Sequence, residues 1–573
     1  MLTINPQDEF LPPRLEVAVR DLTEQWAASD NLGRLWRGDA TLWTSADEGD
    51  WLGWLTIATE LAAATERLEE LASDVRGRFT DAVLLGMGGS SLCPEVLREC
   101  FGRVEGFPDF RILDSTDPQQ IQDCIGSIQI ESTLFLSASK SGSTLETSLL
   151  TEFFFGLVSR RIGAVRAGSR FVAITDPGSR LGAVARKRAF WRVSHGKPSI
   201  GGRYSALSNF GMVPAAAMGL DVPRILKGAS AMQAECRPAS PVEANPGLRL
   251  GLALGAAAVA GRDKLCLSCS PGIAPLGAWV EQLIAESTGK LGRGILPVDG
   301  ASLRPSDHGD DCIFASVQLA SEGGSVQKSA LDELRAAGHP VIRVRVRDMA
   351  SLGQEFFRWE FATAVAGAVL GINPFDQPDV ESSKAATREV AEAYEARGSL
   401  PIGQPWLRTE WAALHASPAL LSAASPTDAP SSVPAALQEL VASLRKGDYF
   451  ALLAYVNRTP ETVALAERIR SRVARHSRVA ATCGFGPRFL HSTGQMHKGG
   501  PNTGVFLQIG GVAGPQLAAP GRDLDFGTVK EAQALGDFAV LCRLGRRALR
   551  LDTGGNAVQA LRRLDAAVEQ ALQ

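Results

Sequence analysis

Short apolar runs that end in glycine or hydroxyl residues recur along the first third of the chain. Asp81-Ala-Val-Leu-Leu-Gly leads into Met-Gly-Gly-Ser-Ser-Leu, and Thr133-Leu-Phe-Leu leads into Ser-Ala-Ser-Lys-Ser-Gly-Ser-Thr. Phe110-Arg-Ile-Leu-Asp and Arg170-Phe-Val-Ala-Ile-Thr-Asp-Pro are of the same kind. Strand-length runs alternating with helix-forming stretches predict an α/β fold with a doubly wound, mostly parallel sheet. Before residue 75 the pattern is helical: Trp54, Ala58 and Leu61 recur at helical spacing among good helix formers. A second alternating region starts near residue 245, with helices predicted over 247–259 and 278–287 and strands over 264–268, 312–319 and 340–346. The two regions look like a duplicated topology without a residue-level repeat. Residues 416–436, rich in Ala, Ser and Pro, predict a linker. Apolar runs at 448–456, 479–485 and 504–509 then predict a smaller α/β unit. The expected organisation is a helical region over 1–75, α/β domains over 76–240 and 241–415, a linker over 416–440 and a C-terminal α/β region over 441–573.

Bulk properties change this picture little. At 573 residues the chain is too long for one core. Its 45% hydrophobic and 21% charged residues suit a globular protein, and a net charge of −3 makes no case for nucleic acid or an acidic membrane surface. No apolar run is long enough to span a bilayer; residues 248–260 are broken by glycine and arginine. The opening MLTINPQDEF lacks a basic-then-apolar signal pattern, which leads to an expected place in the cytoplasm. Nine cysteines are scattered, and the one close pair, Cys266-x-x-Cys269, has no second pair or histidine near it in sequence. That spacing predicts buried thiols on a strand, and no metal or cofactor is expected.

Candidate chemistry sits where strands end. Glycines in Gly86-Met-Gly-Gly-Ser-Ser allow close approach of a ligand at a helix start. The hydroxyl-rich loop over 139–144 follows a second strand of the same sheet, and its Ser and Thr hydroxyls with Lys140 suit a phosphate. A simple helix cap is the alternative for such a loop. Arg203, beside two glycines, could reach a buried anion. Gln282 and Glu286 lie i and i+4 on one helix face, where apolar neighbours would suit Glu286 to act as a base; a solvated helix end is the alternative.

Taken together, GMGGSSL (86–92), SKSGSTLET (139–147), GGRYSALS (201–208), QLIAESTGK (282–290) and GINPFDQPDVESSK (371–384) resemble the phosphoglucose isomerase family, built from two sugar-isomerase (SIS) domains. They occur in that family's order over roughly residues 60–390. The later GPRFLHSTGQMHKGGPNTGVFLQ resembles the isomerase half of bifunctional transaldolase–isomerase proteins, without a transaldolase part here. The resemblance implies interconversion of glucose 6-phosphate and fructose 6-phosphate through ring opening and a cis-enediol, with no cofactor. It implies Glu286 as the proton-shuttling base, Arg203 beside the enediolate and Lys384 in ring opening. Gln377 would lie near the phosphate, and Ser139, Lys140, Ser141 and Thr144 would cradle it. Gly88, Gly89 and Ser90 would line the sugar side, with Gln282 alongside. The family's ring-opening histidine has no clear counterpart: His308 and His339 occupy the expected interval in unexpected settings. His491 and His497 offer themselves instead, His497 slightly preferred. A homodimer is a further expectation from the resemblance. The rival readings are an isomerase of another sugar 6-phosphate, such as mannose 6-phosphate, and a non-catalytic phosphosugar-binding regulator.

Overall fold

The computed structural model describes residues 8–322, 324–423, 429–512 and 514–573, without the side chains of residues 325, 326 and 379–384. Three sheets organise them. The first runs Asp109–Leu113, Asp81–Gly86, Thr133–Ala138, Phe171–Thr175, Arg192–His195, all parallel. Its two central strands are buried at every position, as expected where helices cover both faces. The second has the parallel order Leu296–Val298, Lys264–Cys269, Cys312–Leu319, Val341–Val346. The third has the parallel order Ala480–Phe485, Tyr449–Ala454, Gly504–Gly510, Arg547–Thr553. Numbered by order along its own sequence, each sheet shares the core 2-1-3-4. The duplication anticipated for the first two regions therefore extends, in topology, to a third.

In such sheets ligands bind beyond the carboxyl ends of the strands, where strand order reverses. In the first sheet that point lies between Asp81–Gly86 and Thr133–Ala138, and the loops leaving these strands are Gly88–Ser90 and 139–144.

Two expectations about organisation need correction. The N-terminal region is stitched into the second unit: Glu9–Phe10 adds an antiparallel edge to Val341–Val346. Trp43 Nε1 donates to the Ala364 carbonyl at 2.9 Å, while Trp36 Nε1 reaches the end of the first region at the Cys236 carbonyl, also at 2.9 Å. The expected linker is internal to the third unit. Ala412–Ala416 pairs antiparallel with Arg547–Thr553, and Ser417 N–H donates to the Ala548 carbonyl at 2.8 Å. Residues 424–428 within it lie outside the described residues.

Shared cores join the units. Ala285, Leu296 and Val298 of the second pack with Tyr449, Phe489 and Met496 of the third. Phe135 and Phe154 of the first share a cluster with Phe526 and Val529 of the third.

Candidate active site

A cavity of about 630 Å³ opens at the reversal point of the first sheet. On one side runs the hydroxyl loop, with Lys140, Ser141, Ser143 and Thr144 in its wall. Gly142 takes φ +69° with its Cα turned against the first turn of helix Arg180–Lys187; a Cβ there would lie 2.2 Å from Leu181 N. Only glycine supports that turn without strain. Helix Leu145–Ile162 begins immediately after Thr144 with no side-chain cap. Its first-turn N–H groups and positive dipole end thus meet the cavity wall, a suitable seat for an anion. Ser139 is buried behind the loop, its hydroxyl accepting from Gly142 N–H at 3.1 Å and donating to Thr144 Oγ1 at 3.2 Å. It shapes the loop instead of lining the cavity. Lys140 is engaged by Asp176 and by the Pro198 carbonyl at 2.8 Å. Its charge is therefore largely matched within the protein, whereas hydroxyls of the loop face the cavity.

Opposite the cradle stand Glu286 and Arg203, both buried. Helix Leu276–Thr288 brings Gln282 and Glu286 to the cavity, and Gln282 Nε2 donates to Glu286 Oε2 at 3.0 Å and to the His491 carbonyl at 2.7 Å. Arg203 Nη1 lies 3.3 Å from Glu286 Oε1. The rest of the guanidinium is fully committed: Nε donates to Ser287 Oγ at 2.7 Å, and Nη2 to the carbonyls of Pro374 and Asp376 at 2.7 and 2.8 Å. This leaves a rigid cation beside a carboxylate, oriented before any substrate arrives.

The glycine loop closes the assembly. A Cβ on Gly89 would lie 2.1 Å from the Gly202 carbonyl oxygen, so the Gly88–Ser90 turn and the Arg203 turn touch backbone to backbone. Gly88, at φ +53°, leaves no room either, with the His491 carbonyl 2.7 Å from its imagined Cβ.

His491 enters from the third unit, on the turn Arg488–His491 that follows strand Ala480–Phe485. Its Nε2 faces Glu146 Oε1 at 2.9 Å. Glu146 also accepts from Gln533 Nε2 at 2.7 Å, and Gln533 Oε1 accepts from Thr116 at 2.7 Å. Burial by itself would raise the Glu146 carboxyl, but the His491 charge and these hydrogen bonds hold it below the ordinary glutamate value. A carboxylate kept ionised in this way fixes the imidazole's orientation.

The sequence model of phosphoglucose isomerase matches residues 65–325. Over these residues the chain is similar to phosphoglucose isomerase. The chain is 29% identical over 379 residues to a glucose-6-phosphate isomerase of Rubrobacter xylanophilus, covering 57% of this chain and 85% of that protein. A second, from Citrifermentans bemidjiense, is 28% identical over 444 residues, covering 67% and 80%. Among solved structures, a hypothetical protein from Thermus thermophilus superposes with a TM-score of 0.58 at 23% identity, over 66% of this chain and 99% of its own. A glucose-6-phosphate isomerase from Chlamydia trachomatis superposes with a TM-score of 0.50 at 23% identity, over 59% and 75%. These two likenesses concern the fold.

The matched segment ends before two groups that line the cavity, Gln377 and His491. Gln377 immediately precedes helix Pro378–Arg397, and its Oε1 accepts from Arg203 Nη1 at 3.4 Å. The Lys384 side chain lies outside the described residues. His497 is not brought to the cavity. It is buried in the third unit, with Nδ1 3.0 Å from the Tyr449 hydroxyl, and burial followed by Lys498 and Arg546 lowers its pKa to about 3. His308 lines a separate cavity, and His339 is buried against Phe314. Three contributors escaped the sequence reading. Ser287 holds Arg203, and Glu146 holds His491. Lys290, in the quoted QLIAESTGK, donates to the carbonyls of Asn373 and Asp376 at 2.6 and 2.7 Å. Burial, then Arg203, lowers its pKa to about 7. Together Arg203 and Lys290 satisfy the carbonyls of the loop that presents Gln377.

Proposed function

We propose that the chain is a glucose-6-phosphate isomerase, opening the sugar ring and moving a proton between C2 and C1 through a cis-enediol. The observation that carries this reading is Glu286 paired with Arg203 at 3.3 Å in the cavity that also holds the anion cradle. The carboxylate removes the proton; the guanidinium stabilises the negative oxygen that develops beside it. The loop over 140–144 and the start of helix Leu145–Ile162 hold the phosphate, and Gly88, Gly89 and Ser90 the sugar. His491, oriented by Glu146, serves ring opening in preference to His497, and Lys384 stays in this scheme as its partner. The cytoplasm and a homodimer belong to the same reading, since glucose 6-phosphate is a cytoplasmic metabolite and the resemblance implies a dimer. The test is hydrogen exchange at C2 of glucose 6-phosphate in heavy water, comparing the native chain with Glu286→Gln. Exchange should fall by about 10²–10⁴-fold, the usual worth of a positioned base. Undiminished exchange in the variant would remove Glu286 from the role, and a panel with mannose 6-phosphate reads the specificity.

A further inference from the structure

Two thiols and an imidazole meet away from the isomerase cavity. Cys266 Sγ and Cys312 Sγ each lie 3.9 Å from His308 Nδ1, and the three atoms are all within 4.8 Å of one another. Sheet geometry produces the pair of sulfurs. Strands Lys264–Cys269 and Cys312–Leu319 run parallel with Lys264 opposite Cys312 and Cys266 opposite Phe314. Side chains two residues apart share a face of the sheet, so Cys266 and Cys312 project to the same side. Cys269, three residues from Cys266, falls on the other side and packs in a different core cluster. The close-spaced Cys-x-x-Cys is therefore not the relevant pair.

The imidazole is prepared for a ligand. His308 Nε2 lies 2.7 Å from the Ser302 carbonyl, which can only accept, so Nε2 carries the proton and Nδ1 presents its lone pair to the sulfurs. A backbone carbonyl on the remote ring nitrogen is the usual outer support of a metal-bound histidine. The ring is braced edge-on against Phe314, with centroids 4.9 Å apart. One lone pair can accept from one S–H, and Cys312 Sγ also has Asp311 Oδ1 at 3.9 Å; a cation would engage both sulfurs and the nitrogen at once. Tetrahedral zinc with ordinary bond lengths sets sulfur to nitrogen at about 3.6 Å and sulfur to sulfur at about 3.8 Å. The observed spacing needs only small side-chain rotations to reach this. Cys266 and His308 also line a cavity of about 460 Å³ walled on its far side by Arg470 of the third unit.

We propose that Cys266, Cys312 and His308 bind one zinc-class divalent cation through two thiolates and an imidazole, with solvent from this cavity as the fourth ligand. The cation fastens the 302–308 loop to the second sheet at its seam with the third unit. The test is titration of the chelator-treated full chain with Co²⁺. A sulfur-to-cobalt charge-transfer band with intense tetrahedral d–d absorption should saturate at one equivalent and be abolished by Zn²⁺. Cys312→Ser and His308→Ala should lose it, with circular dichroism confirming that each is folded, whereas Cys269→Ser should keep it. The wild-type spectrum stands on its own should a variant not fold. Absence of the band from the wild type, its persistence in Cys312→Ser, or a Cys266–Cys312 disulfide in freshly purified chain would each overturn the proposal.

Discussion

At the scale of single residues, two histidines six positions apart have opposite fates. His491 meets the cavity and an ionised Glu146; His497 is sealed in the third unit beside Tyr449. Replacing His491 by Ala should therefore slow ring opening by about 10²-fold or more while sparing C2 exchange on open-chain sugar, measured with separate assays. Glu146→Gln should produce a smaller loss of roughly 10- to 100-fold in the same step, the worth of a hydrogen bond to a charged group. Full ring opening in both variants would return His491 to a structural role. His497 predicts a pH effect on stability. In the unfolded chain its imidazole takes a proton near pH 6.5, but the folded chain resists protonation until about pH 3. The unfolded state thus binds the extra proton between those values, and stability present above pH 6.5 is lost as pH falls towards 3. The slope from this residue is about 1.4 kcal/mol per pH unit. Denaturant melts of His497→Gln between pH 4 and 6 should show an acid limb flatter by that amount.

At the scale of elements, the site depends on turns that touch without side chains between them. Gly89→Ala would drive a methyl into the Gly202 carbonyl and separate the sugar turn from the Arg203 turn. We expect kcat/KM to fall by about 10²-fold, as small displacements of a reacting geometry do, and the thermal midpoint to drop as for an overpacked site of about 1–3 kcal/mol. Unaltered kinetics would mean that the two turns need not touch. The same contrast explains what was legible in the sequence. Strands such as Asp81–Gly86 and Thr133–Ala138 announce themselves by local runs, and their loops follow from the adjoining glycines and hydroxyls. Helical spacing puts Gln282 and Glu286 on one face, but their place in the site followed only from the resemblance. The Ala/Ser/Pro-rich stretch near 416–436 was read as a boundary because composition marks loops, not the edges of cores. Ala412–Ala416 finds its partner more than 130 residues later, at Arg547–Thr553, and no local pattern records that. Likewise nothing local marks Glu146, because its partner histidine is distant in sequence. Cys266 and Cys312 met by the same kind of register.

At the scale of the whole molecule, no unit owns the cavity: the first contributes the anion cradle, the second Glu286, the third His491. With apolar clusters bridging first to third and second to third, the units should melt together. Calorimetry should show one transition, and a separate early transition of the third unit would contradict this coupling. Because His491 reaches the cavity from its own chain, dilution below any dimer dissociation constant should leave activity per chain unchanged. Glu146 and His491 are 345 residues apart. A ribosome working at 5–20 residues per second needs about 17 to 70 s to cover that interval. For this time the nascent first unit presents a carboxylate meant for burial, with neither its histidine nor the third unit's share of the common core yet made. The site is therefore completed only at the end of synthesis, and a chain cut short before residue 491 lacks the group proposed to open the ring.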